Sequence, residues 1–238
     1  KYILAAAASL ASHLQSGAII IIKSTVPPST NSKVIAAIKL HTRKDFEVAS
    51  TPEFLKEGTA VADFLHPDRV VIGTTNPHVA KVLTELHEPL GGQVVIIKPE
   101  SAQMAKYAAN AYLAQRITFI NQIANLCEKN GADVQEVIAA IGFDQRIGSH
   151  YWYPGIQYGG SCFPKDVKEL AAYSRAIGEG DGLFVKIDQL NDARPAKLVQ
   201  KWDQQIKFSG KTVAVLGLSF KPNTSDIREA PALKIIPI

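Results

Sequence analysis

ESAQMAKYAANAYLAQRITFINQIANLCEKNG, residues 100–131, contains no proline and meets its first glycine only at its last position. It is rich in residues that favour helix, and at 1.5 Å per residue it predicts one long helix of about eight turns. That helix divides the chain. Before it, apolar runs alternate with helical patterns. KYILAAAASLASHLQSG reads as helix and AIIII (18–22) as strand, followed by the double-proline turn in STVPPST. NSKVIAAIKL is a helix, FEVAS a short strand, and TPEFLKEG a loop entering a helical turn. RVVIG (69–73) is a strand, Asn76-Pro77 caps the helix HVAKVLTELHEPL, and QVVIIK (93–98) closes the series. Strands alternating with helices at this spacing predict an α/β domain over residues 1–98, built on a largely parallel sheet covered on both faces.

After the long helix the pattern is helical. DVQEVIAAIG forms a second helix, IGSHYWYPGIQYGGS is a loop rich in glycine and aromatics, and further helices follow Cys162 and span LFVKIDQLNDARPAKLVQKW. This predicts an all-helical middle domain over 99–207. Strand chemistry returns in KTVAVLGLSFKPNT, where VAVLGL reads as a buried strand opening a third domain over 208–238. The chain begins at Lys1 with no methionine or signal peptide and stops at LKIIPI, just after another helix opens. It reads as an interior piece of a longer protein.

Composition narrows the function. Hydrophobic residues make up 46% and charged residues 20%, an ordinary globular balance. The formal charge of +4 is scattered apart from short groups such as HTRKD. That argues against nucleic acid while leaving room for an anionic small molecule. No apolar run is long enough to span a bilayer, since Lys23 interrupts IIII at once. Two cysteines suggest a reducing, cytoplasmic setting without a disulfide framework.

YGGSCFPKD (158–166) places Cys162 at a chain reversal, where Gly159 and Gly160 permit unusual backbone and a helix begins. The thiolate is favoured by a helix N-terminus. Residue types alone leave a packed cysteine as open as a reactive one, whereas Cys127 in ANLCEKN reads as packing. Lys106 and Asn110 are one turn apart on the long helix, on a face otherwise small. Spacing alone also allows a solvated lysine beside an asparagine. Glu53 and Glu57 in PEFLKEG share the same spacing, Asp166 lies four residues beyond the cysteine, and Thr25 ends a strand where parallel sheets bind ligands. His66 has no partners at metal-ligand spacing and reads as structural, so no metal is expected.

Five motifs in order, STVPPST (24–30), TPEFLKEGTAVADFLHPDRVVIG (51–73), KPESAQMAKYAANAYL (98–113), YGGSCFPKD and GLSFKPNTSDIREAPAL (217–233), resemble those of the nucleotide-sugar 6-dehydrogenases and span nearly the whole chain. The resemblance implies a Rossmann-like NAD-binding domain, a helical middle domain around one core helix, and the start of a second Rossmann-like domain for UDP. The glycine-rich fingerprint of the first domain does not occur here. The implied reaction is four-electron oxidation of UDP-glucose by NAD, with Cys162 as nucleophile through a thiohemiacetal and a thioester. Lys106 and Asn110 would stabilise the substrate oxygen, Glu57 would act as base, Asp166 would partner a water or Lys106, and Thr25 would orient a water or touch the nicotinamide end.

By the same resemblance Thr25, Glu57, Lys165 and Arg228 contact the cofactor. Glu53, Phe54, Leu55, Lys106, Asn110, Tyr153, Tyr158, Gly159, Phe220 and Lys221 contact substrate. Arg146 reaches the substrate site of a neighbouring subunit, which implies a homodimer or larger homo-oligomer. Gln157 and Tyr158 stand where a glycine and an aromatic are usual. Rival readings are a sister enzyme acting on GDP-mannose or a UDP-N-acetylhexosamine, a two-electron hydroxyacid dehydrogenase of the 6-phosphogluconate type, and a non-catalytic binding protein that keeps the fold. The thiol motif argues against the second and the intact constellation against the third.

Overall fold

The computed structural model describes residues 2–238, which divide into two compact units, Lys1–Ala108 and Ala109–Ile238. In the first, α1 (Tyr2–Ala11) leads to β1 (Ala18–Ile22), α2 (Thr30–Lys39), β2 (Phe46–Ser50), α3 (Ala60–Leu65), β3 (Arg69–Gly73), α4 (Pro77–His87) and β4 (Gln93–Ile97). The strands form one sheet in the order β1-β2-β3-β4.

Successive side chains point to opposite faces of the sheet, so neighbouring residues of one strand pack against different helices, and β2 and β3 each carry a run of consecutive buried residues. Ile20, Ile22 and Val48 pack with Ala7, Ala11, Val34 and Ile38 of α1 and α2. Ile19, Ala49, Val70 and Ile72 pack with Val79 and Leu83 of α4. Asn76 caps α4 by accepting hydrogen bonds from the amides of His78 and Val79, with Pro77 in the first turn.

The sheet is mixed, where a largely parallel one was expected. β1–β2 and β3–β4 pair in parallel, but β2 and β3 are antiparallel through Ser50 and Gly73. The short α3, none of whose residues is buried, makes the β2–β3 link a reversal rather than a covering crossover. The segment PEFLKEG is not helical, so Glu53 and Glu57 do not share a helix face.

α5 (Pro99–Asn130) is the long helix expected, and its first turns belong to the first unit. Gly73 allows close approach there: a Cβ on it would lie 2.6 Å from Ala102 Cβ. The rest of α5, α6 (Val134–Gly142), α7 (Phe163–Ala176), α8 (Leu183–Ile206) and α9 (Pro231–Ile235) make up the second unit. VAVLGL (213–218) forms no strand, contrary to expectation. No strand among the described residues of this unit lies beside it, so its backbone has no ladder to join, and Val213 and Leu216 are exposed. No helix among the described residues is long and apolar enough to cross a membrane.

Candidate active site

In the first unit the candidates gather after the carboxyl end of β2. Lys106 is 3% exposed, so it is not a solvated surface lysine. Its Nζ lies 3.1 Å from Glu53 Oε1, and Glu53 Oε2 accepts the Leu55 amide at 2.7 Å. Both carboxylate oxygens are thus engaged and the turn carrying Phe54 and Leu55 is fixed. The Phe54 ring faces the Arg69 guanidinium at 3.8 Å, with the Lys106 ammonium 5.3 Å from its centroid.

A buried polar latch holds this end of α5. Gln103 Nε2 donates to Asn31 Oδ1 at 2.6 Å and to Ser50 Oγ at 3.1 Å. Ser50 in turn donates to Asn31 Oδ1, whose amide donates to Val48 O. Gln103 stands one turn before Lys106, so the latch sets where the ammonium projects.

Lys23, at the end of β1, donates to Thr51 O at 3.1 Å. Desolvation of its ammonium holds it below its ordinary pKa, with Glu53 opposing and Lys106 reinforcing the shift. A pocket lined by Lys23, Thr51, Glu53, Phe54, Leu55 and Arg69 opens here. Thr25 and Glu57 are half-buried in the loops after β1 and β2.

In the second unit Cys162 is exposed at the N-cap of α7, with Pro164 in the first turn, as the sequence indicated. Ser161 Oγ lies 3.6 Å from its sulfur. Asp166, only 1% exposed, has both oxygens occupied. Oδ2 accepts from Asn110 Nδ2 at 2.5 Å, and Oδ1 meets the Lys165 ammonium. Asn110 and the helix bearing the thiol are therefore joined through one buried carboxylate.

The glycine pair before Cys162 is dictated by close approach. A Cβ on Gly159 would fall 2.2 Å from Glu229 O, and one on Gly160 would fall 2.7 Å from the Phe220 ring. Gly160 also has φ +83° and donates its amide to Arg228 O at 2.9 Å. Phe220 and the backbone of 228–229 thus press directly on the cysteine loop. Tyr158 is buried edge-on against Phe163, and burial together with Asp188 and Asp192 pushes its phenol pKa up. Tyr153 is exposed beside Tyr151. Lys221 lies 5.3 Å from its neighbour Phe220. Arg228 pairs with Asp226, and the outward-facing Arg146 forks onto Asp144, which it holds below its ordinary pKa.

Three models of one family match successive stretches: its NAD binding domain over residues 1–91, its central domain over 100–193 and its UDP binding domain over 214–238. The chain belongs to the UDP-glucose/GDP-mannose dehydrogenase family. It is 43% identical to the UDP-glucose 6-dehydrogenase TuaD of Bacillus subtilis over 100% of this chain and 52% of that protein. To the UDP-glucose 6-dehydrogenase of Pseudomonas aeruginosa it is 40% identical, over 99% of this chain and 54% of that protein. A solved UDP-glucose dehydrogenase from Pyrobaculum islandicum is 35% identical with a TM-score of 0.91, covering 100% of this chain and 56% of that one. The UDP-D-ManNAc dehydrogenase of Pyrococcus horikoshii gives 30% and 0.87, covering 100% and 58%. The chain spans about half the length of the curated relatives it matches.

The residues present fit part of the family's NAD site. The carboxyl ends of parallel β1 and β2 offer Lys23, Thr25 and the buried hydroxyl of Thr51, which has no hydrogen-bond partner among the described residues. This polar edge suits the amide and ribose of a dinucleotide. The glycine-rich loop that would grip its diphosphate is not in this sequence.

Sequence reasoning missed the Asn31–Ser50–Gln103 latch, Lys23, and the α8 residues Asn191 and Arg194. For α8 a signal existed: Ile187, Asn191, Arg194 and Pro195 recur at helical spacing on one stripe, which is the buried face of the helix.

Proposed function

We propose that the protein to which this chain belongs oxidises C6 of UDP-glucose to the carboxylate, using two NAD in succession. The observation that carries the reading is the Asn110–Asp166 hydrogen bond, made to the first turn of the helix that the exposed Cys162 caps, together with the buried Lys106–Glu53 pair. NAD supplies the hydride acceptor at each oxidation. Lys106 faces the C6 oxygen as it gains negative charge, and the Glu53 bridge keeps its long side chain from wandering. Asn110 donates to the same oxygen while Asp166 fixes its orientation.

Cys162 then adds to the aldehyde. The S–C bond forms, the C=O π bond opens, and the thiol proton is relayed through a base or water to the carbonyl oxygen, which becomes a hydroxyl. After the second oxidation the carbon is a thioester. Water, deprotonated by Glu57 or Asp166 through solvent, adds to it; the C–S bond breaks and the thiol is restored. Per sugar, two hydrides and three protons are released and one water is consumed.

Lys165, Arg228 and Thr25 serve the cofactor. Phe54, Leu55, Tyr153, Tyr158, Gly159, Phe220 and Lys221 shape the sugar and nucleotide site. Arg146, exposed and braced by Asp144, is presented to a second copy in a homodimer or larger assembly, and the work is done in the cytoplasm.

The test is stoichiometry in the full-length protein. Two NADH per UDP-glucose supports the reading, one indicates an ordinary alcohol dehydrogenase, and none indicates a binding protein. Faster turnover of GDP-mannose or a UDP-N-acetylhexosamine would reassign the sugar. Cys162→Ser is expected to abolish UDP-glucuronate formation, and undiminished acid production would remove Cys162 from its role.

A further inference from the structure

The loop that leads into Cys162 is irregular, so its peptide groups find no partners in a ladder or helix. Three buried side chains supply them instead. Asn191 of α8, 4% exposed, accepts the Tyr158 amide on Oδ1 at 2.9 Å and donates Nδ2 to the Tyr158 carbonyl at 3.1 Å. Its carboxamide thus pairs with Tyr158 as a neighbouring strand would. Asn121 of α5, 2% exposed, accepts the Gly155 amide on Oδ1 at 2.8 Å. Arg194, 8% exposed, donates Nε to the Gly155 carbonyl at 2.6 Å. Its Nη1 donates to Asn125 Oδ1 at 2.7 Å and Asn121 O at 3.3 Å.

We propose that Asn191, Arg194 and Asn121 are positioning residues for the reaction. They fix the backbone of residues 155–158, and through it the approach of the sugar to Cys162. This rests on the dehydrogenase reading above.

The choice of side chains supports a positional role over one in stability. Each hydrogen bond of Arg194 goes to a neutral oxygen, and burial lowers its pKa, with Glu128 partly offsetting that. A cation buried without a bonded anion is a poor way to stabilise a core. A guanidinium is nonetheless suited to reach a loop carbonyl and two asparagines at once. On the other side the same loop meets Arg228 O through the Gly160 amide. The backbone is therefore tied at residues 155, 158 and 160, just ahead of the thiol.

The test uses the full-length protein with Asn191→Ala, Arg194→Met and Arg194→Lys. Asn191→Ala is expected to raise KM for UDP-glucose roughly 3- to 30-fold, the range for one or two lost hydrogen bonds. KM for NAD and the two NADH per sugar should stay unchanged. Arg194→Met should act similarly, and Arg194→Lys should recover part of the loss by keeping one donor for Gly155. Amide exchange at Tyr158 should quicken by about tenfold or more in Asn191→Ala, while the flanking turns of α5 and α8 keep parental protection. Normal turnover with unchanged KM and unchanged exchange in a folded Asn191→Ala would overturn the proposal and leave the dehydrogenase reading intact. Should the variants fail to fold, exchange in the parent decides: Gly155 and Tyr158 amides exchanging as fast as free loop amides would refute the anchoring. A parent that oxidises no nucleotide sugar would overturn both readings.

Discussion

Replacing Gly160 by Ala probes how tightly the cysteine loop is held. The backbone there has φ +83°, where an L side chain costs about 1–2 kcal/mol. The new methyl would also stand 2.7 Å from Phe220 Cε2 and 2.9 Å from Cδ2 and Cζ. Carbon atoms prefer about 3.5–4.0 Å, so ring or loop must yield by roughly 1 Å. Overpacking of that kind costs about 1–3 kcal/mol. The two effects together predict a loss of about 2–5 kcal/mol, read by urea unfolding followed through tryptophan fluorescence, since Trp152 and Trp202 both belong to the same unit. The contact contribution can be isolated. In a cycle with Phe220→Ala the methyl finds room, so Gly160→Ala should cost only its backbone strain, and the coupling should be about 1–3 kcal/mol. A loss in Gly160→Ala below about 1 kcal/mol, or strict additivity with Phe220→Ala, would refute the argument that close approach selects glycine here.

Glu53→Gln keeps the shape of the side chain but leaves the Lys106 ammonium, with 4% side-chain exposure, facing a neutral amide. It should destabilise the first unit by about 1–3 kcal/mol in chemical denaturation, and an unchanged midpoint would contradict the importance of that pair. Asp188 has its pKa raised above 3.8, chiefly by burial, with Lys168 opposing and Asp192 and Glu229 adding to the rise. The folded chain then binds that proton more tightly than the unfolded chain, so stability falls as pH climbs from 3.8 through the folded-state value. Asp188→Asn removes this loss: it should be more stable than the parent at pH 7, with the gain vanishing below pH 3.8. Equal or lower stability of the variant at pH 7 would show the sign to be wrong.

Much of this architecture could be read from local pattern. The alternation of apolar runs with capped helices located every strand of the sheet, and an unbroken run without proline located α5. Sheet direction was harder. Only the short link through α3 makes β3 run against β2, and link geometry is decided by packing that no local pattern reports. VAVLGL has strand chemistry in full, yet a strand needs a neighbour to pair with, and propensity cannot supply one.

At the site, the glycine pair was legible as a chain reversal. Its cause was not, because Phe220 and Glu229 lie far downstream in the sequence and meet the loop only in the folded chain. Lys106 looked equally suited to solvent until Glu53 and Phe54 were seen to enclose it. Asn191 and Arg194 look like ordinary polar residues of a surface helix; only their phase with Ile187 hinted at burial.

The decisive experiment is to stall turnover in the full-length protein and weigh the peptide that carries residues 158–166. With UDP-glucose and NAD, Cys162 should carry a hexose-derived acyl group that disappears as UDP-glucuronate accumulates. Product forming while that sulfur stays unmodified, or an adduct on any other residue, would contradict the account.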